Sequence, residues 1–256
     1  MTRRGAGPRG VVLVSGGSGA IGEAICRRLH DDGWAVAIGY VSRERAEALA
    51  ASLHTEEAPS WPVPLDMSDP GSVRSGVGEF LADAGRVDAV VYNGGRSRTA
   101  PFLETTEEDW AAEAAVNYLG PVLATRLLLP VMLEHNRGSF VGITSEAAKL
   151  GDAGHAPYAA VKGALHAFFR TIVREYGRRG ILANSVAPGP IDTSMLRYTF
   201  ASEEQAQHVI GKLRRLVPAG RLGEPGEVAA VVRFLISEST FVAGQHISVG
   251  GGVSMH

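Results

Sequence analysis

The chain has 256 residues, 45% hydrophobic and 20% charged, which suits one soluble globular domain and is too apolar for a disordered polymer. A formal charge of −2 offers no basic excess for a nucleic-acid partner, and the single cysteine, Cys26, excludes an intrachain disulfide scaffold, so a reducing cytoplasm is the expected setting. Glycine is enriched, at 32 residues, as tight strand-to-helix turns and close backbone approaches demand.

Residues 1–10, "MTRRGAGPRG", are basic and lack the apolar run of a signal peptide; they are read as a flexible tail, with one domain over 11–256. The first predicted strand, "VVLVSG", leads into an amphipathic helix beginning near Ile21. The turn between them fits two phosphate-loop spacings. Gly17, Gly19 and Gly22 spell G-x-G-x-x-G, while Ser15, Gly16 and Gly22 fit a looser T-G-x-x-x-G-x-G with Ser for Thr and Ala20 for the middle glycine. Both aim the unpaired N–H groups of the helix at a pyrophosphate.

The second strand, "AVAIGY", discriminates between dinucleotides. An NAD-type site expects a carboxylate at its C-terminal end, but Asp31 and Asp32 precede the strand, and that end offers Tyr40, Ser42, Arg43 and Arg45. Arg43 is placed against a 2′-phosphate, since a guanidinium suits phosphate bidentately, so NADP(H) is favoured; an exposed helix-cap arginine is the alternative.

Further strands are predicted at "PVPLD", "DAVVYNG", "GSFVGITS", "ILANSVAP" and "QHISVGG", with helices beginning near Glu44, Pro70, Asp109, Pro157 and Pro225. The alternation predicts an α/β, Rossmann-like, doubly wound parallel sheet of about seven strands with helices on both faces. The most apolar run, "LGPVLATRLLLPVMLEH", is interrupted by Arg126 and two prolines, and no membrane span is expected from it. No metal site is expected either.

The chemistry is expected in "TSEAAKLGDAGHAPYAAVK", residues 144–162. Tyr158 and Lys162 stand four apart on a predicted helix, so they share a face and reach one ligand. With only three lysines, Lys149, Lys162 and Lys212, a chance Tyr-x-x-x-Lys is expected only about 0.07 times.

From Val11 to the C-terminus the sequence resembles the short-chain dehydrogenases/reductases. "SGGSGAIG" is similar to that family's T-G-x-x-x-G-[IL]-G, which selects Gly16 and Gly22 as the matched glycines and leaves Gly17 and Gly19 as added flexibility. "PLDMSD", "YNGG", "VNYLGP", "ITS", "YAAVK" and "NSVAPGPIDT" follow in the family's order, with its 13-residue step from Ser145 to Tyr158. Two departures stand out: Ala20 in the glycine loop, and Tyr92 where the family has the first Asn of N-N-A-G, which bears on a backbone-stabilising hydrogen bond.

The resemblance implies Ser145, Tyr158, Lys162 and Asn117 as catalytic residues. It implies cofactor contacts from Ser15, Gly16, Ser18, Ala20, Ile21, Gly22, Tyr40, Ser42, Arg43, Asp66, Met67, Asn93, Gly94, Pro188, Gly189, Ile191 and Thr193. Reducing a ketone needs a hydride donor at the carbonyl carbon and a proton donor at its oxygen; Tyr158 is the expected proton donor, its phenolate favoured by the Lys162 ammonium. Ser145 is expected to hold the substrate oxygen and Asn117 a water in the proton relay.

Within the family the C-terminal tail is most similar to the 3-oxoacyl-carrier-protein reductases, implying a thioester on an acyl carrier protein as substrate, in fatty-acid or polyketide synthesis. Arg178 and Arg179 resemble a basic docking patch for that carrier, although a solvated helix end explains them equally well. A substrate lid is expected over 192–216, with Met195 and Leu196 as substrate contacts beside His155 or, for His155, a plain loop position. The alternatives are a reductase of a free ketone, sugar or polycyclic alcohol, and a non-catalytic nucleotide sensor. A homotetramer, or a dimer, is implied through the helices after Asp109 and Pro157.

Overall fold

The computed structural model describes residues 8–193 and 203–255; the expected substrate contacts Met195 and Leu196 lie outside the described residues. Seven strands, β1 (Val11–Ser15), β2 (Ala35–Tyr40), β3 (Ser60–Pro64), β4 (Ala89–Tyr92), β5 (Gly138–Ile143), β6 (Ile181–Pro188) and β7 (His246–Val249), form one sheet. Its order is β3-β2-β1-β4-β5-β6-β7, with every neighbouring pair parallel. The chain winds outward from β1 in one direction, then crosses to β4 and winds the other way. The C-terminal ends of β1 and β4 therefore splay apart and leave the crevice where open α/β sheets bind ligands.

Strand alternation divides the core in two. Val11 and Leu13 face one side of the sheet, with Val77 and Phe80 of α3 (Pro70–Ala84), Leu128 and Met132 of α5 (Gly120–Glu134), and Leu165 and Phe169 of α7 (Ala156–Tyr176). Val12 and Val14 face the other, with Ile25 and Leu29 of α1 (Ala20–Asp31), Leu49 of α2 (Arg43–Leu53) and Val232 of a late helix at Pro225–Ser237. Burial on both faces is why these strands read as continuous apolar runs. The β3 strand begins at Ser60, two residues before the predicted start, and accommodates Pro62 because it is an edge strand whose outer side needs no donor.

The helix α4 (Glu107–Ala114) opens with a capping box between Thr106 and Asp109 and continues through a π-helical turn (Ala115–Leu119) into α5. The continuous helix Glu107–Glu134 is long and apolar enough to cross a membrane, because the π-turn joins what the prolines seemed to divide. Its apolar side is instead used on the sheet: Ala124, Leu128 and Met132 have no exposed surface. A short helix, α6 (Ala147–Leu150), follows β5. Beyond β6 come α8 (Glu203–Leu216), within the expected lid, and α9, the helix at Pro225–Ser237 already placed against the sheet.

Candidate active site

The crevice begins with the glycine loop. Gly16 takes φ +60, a left-handed conformation, and Gly22 packs so tightly on the Gly16 carbonyl that no Cβ fits there. Asn93, from the end of β4, clamps the loop: its backbone N–H donates to Ser15 Oγ at 3.2 Å and its Nδ2 to the Gly16 carbonyl at 2.9 Å. The N-terminus of α1 has Gly19 as its N-cap and no side chain capping it, so its first N–H groups are left for an anion. This cradle fits a dinucleotide pyrophosphate. Ala20 is the exposed first residue of α1, beside half-buried Ser18 and Ile21.

Gly17 is not the added flexibility expected of it. A Cβ there would stand 2.9 Å from Ile38 Cγ2 and 3.2 Å from Cys26 Sγ, so it is glycine to let the loop pack against β2 and α1. The substitution at Tyr92 also finds its reason: the ring is buried and stacked 6.3 Å from Phe140 and 6.2 Å from Phe169. Its hydroxyl pairs with Thr125 Oγ1 at 2.9 Å, while the Asn93 side chain holds the Gly16 carbonyl of the loop.

At the end of β2, Tyr40 is half-buried and Ser42 and Arg43 are exposed. Arg43 pairs with Glu47 one turn on, Nε to Oε1 at 2.7 Å, which orients the guanidinium on the helix surface. Asp66 accepts the Ser68 N–H at 2.8 Å and its hydroxyl at 2.7 Å, and Met67 is buried under Gly120, whose missing Cβ lets the helix cross the Met67 carbonyl. Across the crevice Pro188 ends β6, Gly189 N–H donates to the Val249 carbonyl at 3.1 Å, Ile191 forms a bridge with Gly223, and Thr193 closes the described segment. Gly94 stands against the glycine loop, where a side chain on Gly16 would strike it.

The titratable cluster lies where β5, α4 and α7 meet. Ser145 follows β5, and Tyr158 and Lys162 sit on the first two turns of α7. Lys162 Nζ donates to the Ile143 carbonyl at 2.8 Å and lies 5.7 Å from the centroid of the Tyr158 ring. Burial pushes the Lys162 ammonium down to about 8. Tyr158 moves the opposite way to expectation: burial raises its pKa, the Glu113 carboxylate adds to the rise, and a hydrogen bond with Ser145 only partly offsets it. The reason is that Lys162 directs its charge at a backbone carbonyl, while desolvation penalises the phenolate.

Asn117 occupies the π-turn, with its Nδ2 donating to the Arg96 carbonyl at 2.7 Å and the Glu113 carbonyl at 3.0 Å. Its Oδ1 is buried without a partner among the described residues, and a Cβ placed on Gly95 would meet that oxygen at 3.2 Å and Lys162 Nζ at 3.4 Å. Two polar groups thus flank one small space, the arrangement a bridging water needs. His155 precedes α7, its ring edge-on to Tyr158 at 6.1 Å and its Nε2 2.8 Å from Thr99 Oγ1.

Sequence reasoning missed the buried acid Glu113, whose signal was its position four residues before Asn117 on one helix face. It also left open the meaning of Arg179. That guanidinium donates to Asn136 Oδ1 at 2.6 Å and the Leu133 carbonyl at 2.9 Å, capping the end of α5.

Sheet order, glycine cradle and Ser-Tyr-Lys cluster together define a dinucleotide-dependent oxidoreductase fold. A family model described as "Enoyl-(Acyl carrier protein) reductase" matches residues 16–254. The chain belongs to the short-chain dehydrogenase/reductase family of oxidoreductases acting on CH–OH and C=O groups. It is 34% identical to the 3-oxoacyl-[acyl-carrier-protein] reductase FabG of Thermotoga maritima, over 95% of this chain and 97% of that protein. It is 33% identical to a meso-2,3-butanediol dehydrogenase of Serratia marcescens, over 95% and 94%. Its fold superposes with a TM-score of 0.88 on a gluconate 5-dehydrogenase from Burkholderia cenocepacia, solved with NADP and tartrate, at 30% identity over 97% of this chain and 96% of that one.

Proposed function

We propose that this chain reduces a ketone to a secondary alcohol with NADPH, and that its substrate is the 3-oxo group of an acyl thioester carried on acyl carrier protein. The observation that carries the chemistry is the convergence of Ser145, Tyr158 and Lys162 on the crevice beside an unpartnered Asn117 oxygen. The similarity to 3-oxoacyl-carrier-protein reductases supports the substrate.

The cofactor, when bound, supplies the hydride. The glycine loop and the α1 N-terminus would hold its pyrophosphate, Asp66 and Met67 would border its adenine, and Arg43 would meet the ribose end, where no carboxylate of β2 would repel a 2′-phosphate. Pro188, Gly189, Ile191 and Thr193 line the far side of the crevice. The bound NADP of the gluconate 5-dehydrogenase supports this choice of dinucleotide.

Tyr158 donates the proton to the substrate oxygen. Its raised pKa keeps it a phenol, the form that donates, throughout the neutral range. Ser145, hydrogen-bonded to that phenol, orients the substrate oxygen beside it. The Lys162 ammonium stabilises the phenolate left after transfer, and a water between Lys162 and Asn117 Oδ1 returns a proton. His155 borders the substrate side of Tyr158.

A second reading, a free hydroxyketone or sugar, is favoured by the butanediol and gluconate dehydrogenases among the similar proteins. NADPH oxidation with a short 3-oxoacyl thioester, run beside a cyclic ketone and a ketogluconate, separates the two. Turnover of the thioester supports the carrier-protein reading; turnover of the free ketones alone replaces it with the second. A non-catalytic sensor has no use for half-buried Tyr158 beside buried Lys162 and predicts silence with all three.

The chain is expected to work in the cytoplasm as a homotetramer built on α4, α5 and α7, where Trp110 and Leu119 stay exposed on one chain. Sedimentation at micromolar concentration tests the assembly, and only monomer would contradict it.

A further inference from the structure

His155 is the N-cap of α7, and that position does not explain why it is histidine. N-caps are ordinarily Ser, Thr, Asp or Asn, whose side-chain oxygen accepts a first-turn N–H. The imidazole makes no such bond. It turns instead along the wall of the crevice: its ring stands edge-on to Tyr158 at 6.1 Å between centroids, and its Nε2 meets Thr99 Oγ1 at 2.8 Å. Thr99 is exposed, on the loop that leaves Gly95, the glycine whose missing side chain leaves room beside Asn117 Oδ1 and Lys162 Nζ.

The surrounding chain keeps this contact in place. Gly154 takes φ +82, and a Cβ on it would stand 3.3 Å from Thr99 Cγ2, so glycine is what lets the loop come this close. Ala100 N–H donates to the Gly154 carbonyl at 3.0 Å, while His155 N–H donates to the Asp152 carbonyl at 3.0 Å and its own carbonyl accepts the Ala159 N–H at 2.8 Å. The second ring nitrogen, Nδ1, lies 3.3 Å from Asp152 Oδ2 without forming a hydrogen bond. The ring's hydrogen bond therefore goes to Thr99 and not to the phenol, so the imidazole has no direct part in the proton transfer. What it fixes is a hydroxyl. A hydroxyl has one donor and two acceptor sites; His155 uses one, and nothing else among the described residues takes the others.

We propose that Thr99 is a specificity-determining residue whose hydroxyl binds a second oxygen of the substrate, one or two carbons from the carbonyl that Tyr158 protonates, and that His155 is its positioning residue. The proposal rests on the ketoreductase reading above. A 3-oxoacyl thioester carries its thioester carbonyl two carbons from the ketone carbon, and a 2-hydroxyketone carries a hydroxyl on the next one. Thr99 can donate to the first and either donate to or accept from the second. A ketone without that oxygen leaves the hydroxyl unused, which is how a polar site discriminates between substrates.

The test measures kcat and KM for NADPH-dependent reduction of a 3-oxobutanoyl thioester, a 2-hydroxyketone and cyclohexanone. Thr99→Val removes the hydroxyl at nearly constant volume, and Thr99→Ser keeps it. His155→Phe keeps a ring edge beside Tyr158 without a nitrogen, and His155→Gln keeps a polar group that reaches Thr99. The ratio of kcat/KM for an oxygen-bearing substrate to that for cyclohexanone should fall roughly tenfold in Thr99→Val and His155→Phe, chiefly through KM, and stay within about threefold of wild type in Thr99→Ser and His155→Gln. An unmoved ratio in Thr99→Val, or an equal fall in Thr99→Ser, would overturn the proposal. Turnover of the hydroxyketone and not the thioester, with the ratio falling as expected, would count against the thioester reading and leave Thr99 in its role. Thioester turnover with an unmoved ratio would do the reverse.

Discussion

Lys162 lies over the ring of Tyr158 but is anchored elsewhere: its Nζ stands 5.7 Å from the ring centroid while its hydrogen bond goes to the Ile143 carbonyl at 2.8 Å. The ammonium is buried, and its pKa falls from 10.5 to about 8, so the unfolded chain binds more protons than the folded one between those values. Stability attributable to this group is fully present above pH 10.5 and falls as the pH is lowered to about 8. Lys162→Met should therefore lose about 10²–10³-fold in turnover while its melting temperature at pH 7 does not drop. A destabilised Lys162→Met protein would show that the lysine holds the fold more than the site.

The glycine cradle makes a steric prediction. A methyl on Gly22 collides with the Gly16 carbonyl, which Asn93 fixes from β4. Gly22→Ala should weaken NADPH binding at least tenfold, measured by quenching or energy transfer to the dihydronicotinamide. Gly19→Ala, whose added methyl would come no nearer than 3.5 Å to the Gly16 oxygen, is the contrasting substitution and should bind within about threefold of wild type.

Arg43 is the test of cofactor choice. Its guanidinium is 75% exposed and already paired with Glu47, so it can swing onto a phosphate by exchanging one carboxylate for another anion. Arg43→Ala should raise the KM for NADPH by roughly 10-fold and leave that for NADH unchanged. Equal changes for both would assign the arginine to the helix surface.

A histidine pair sets the expected acid sensitivity. His246 on β7 stacks 4.5 Å from His166 on α7, and burial, then the charges of His166 and Lys149, hold its pKa down at about 4. With a folded value below the ordinary 6.5, the unfolded chain binds the extra proton, so this contribution is present above pH 6.5 and is lost as the pH falls to about 4. The melting temperature of His246→Gln should depend less on pH across that window than that of the wild type. Parallel curves would place the acid sensitivity elsewhere.

The sheet was legible because strands buried on both faces carry long β-branched runs, and the cluster was legible because Tyr158 and Lys162 share a helical face. What stayed hidden depended on neighbours distant in sequence. Gly17 needs Ile38 and Cys26 to explain it, Tyr92 needs Thr125, and Arg179 needs the end of α5. The π-turn at Asn117 and the buried charge at Glu113 are likewise settled by packing, since local propensity marks neither. The rise of the Tyr158 pKa, against the expected fall, comes from desolvation that spacing alone does not convey.

The central claim is that Tyr158 delivers the proton to a reduced carbonyl, and the most direct measurement is NADPH consumption by wild type and Tyr158→Phe side by side, with the 3-oxoacyl thioester. Steady turnover by the wild type and a fall of at least about 100-fold in the variant, with NADPH binding intact, is the predicted result. A Tyr158→Phe protein that retains full activity would contradict it.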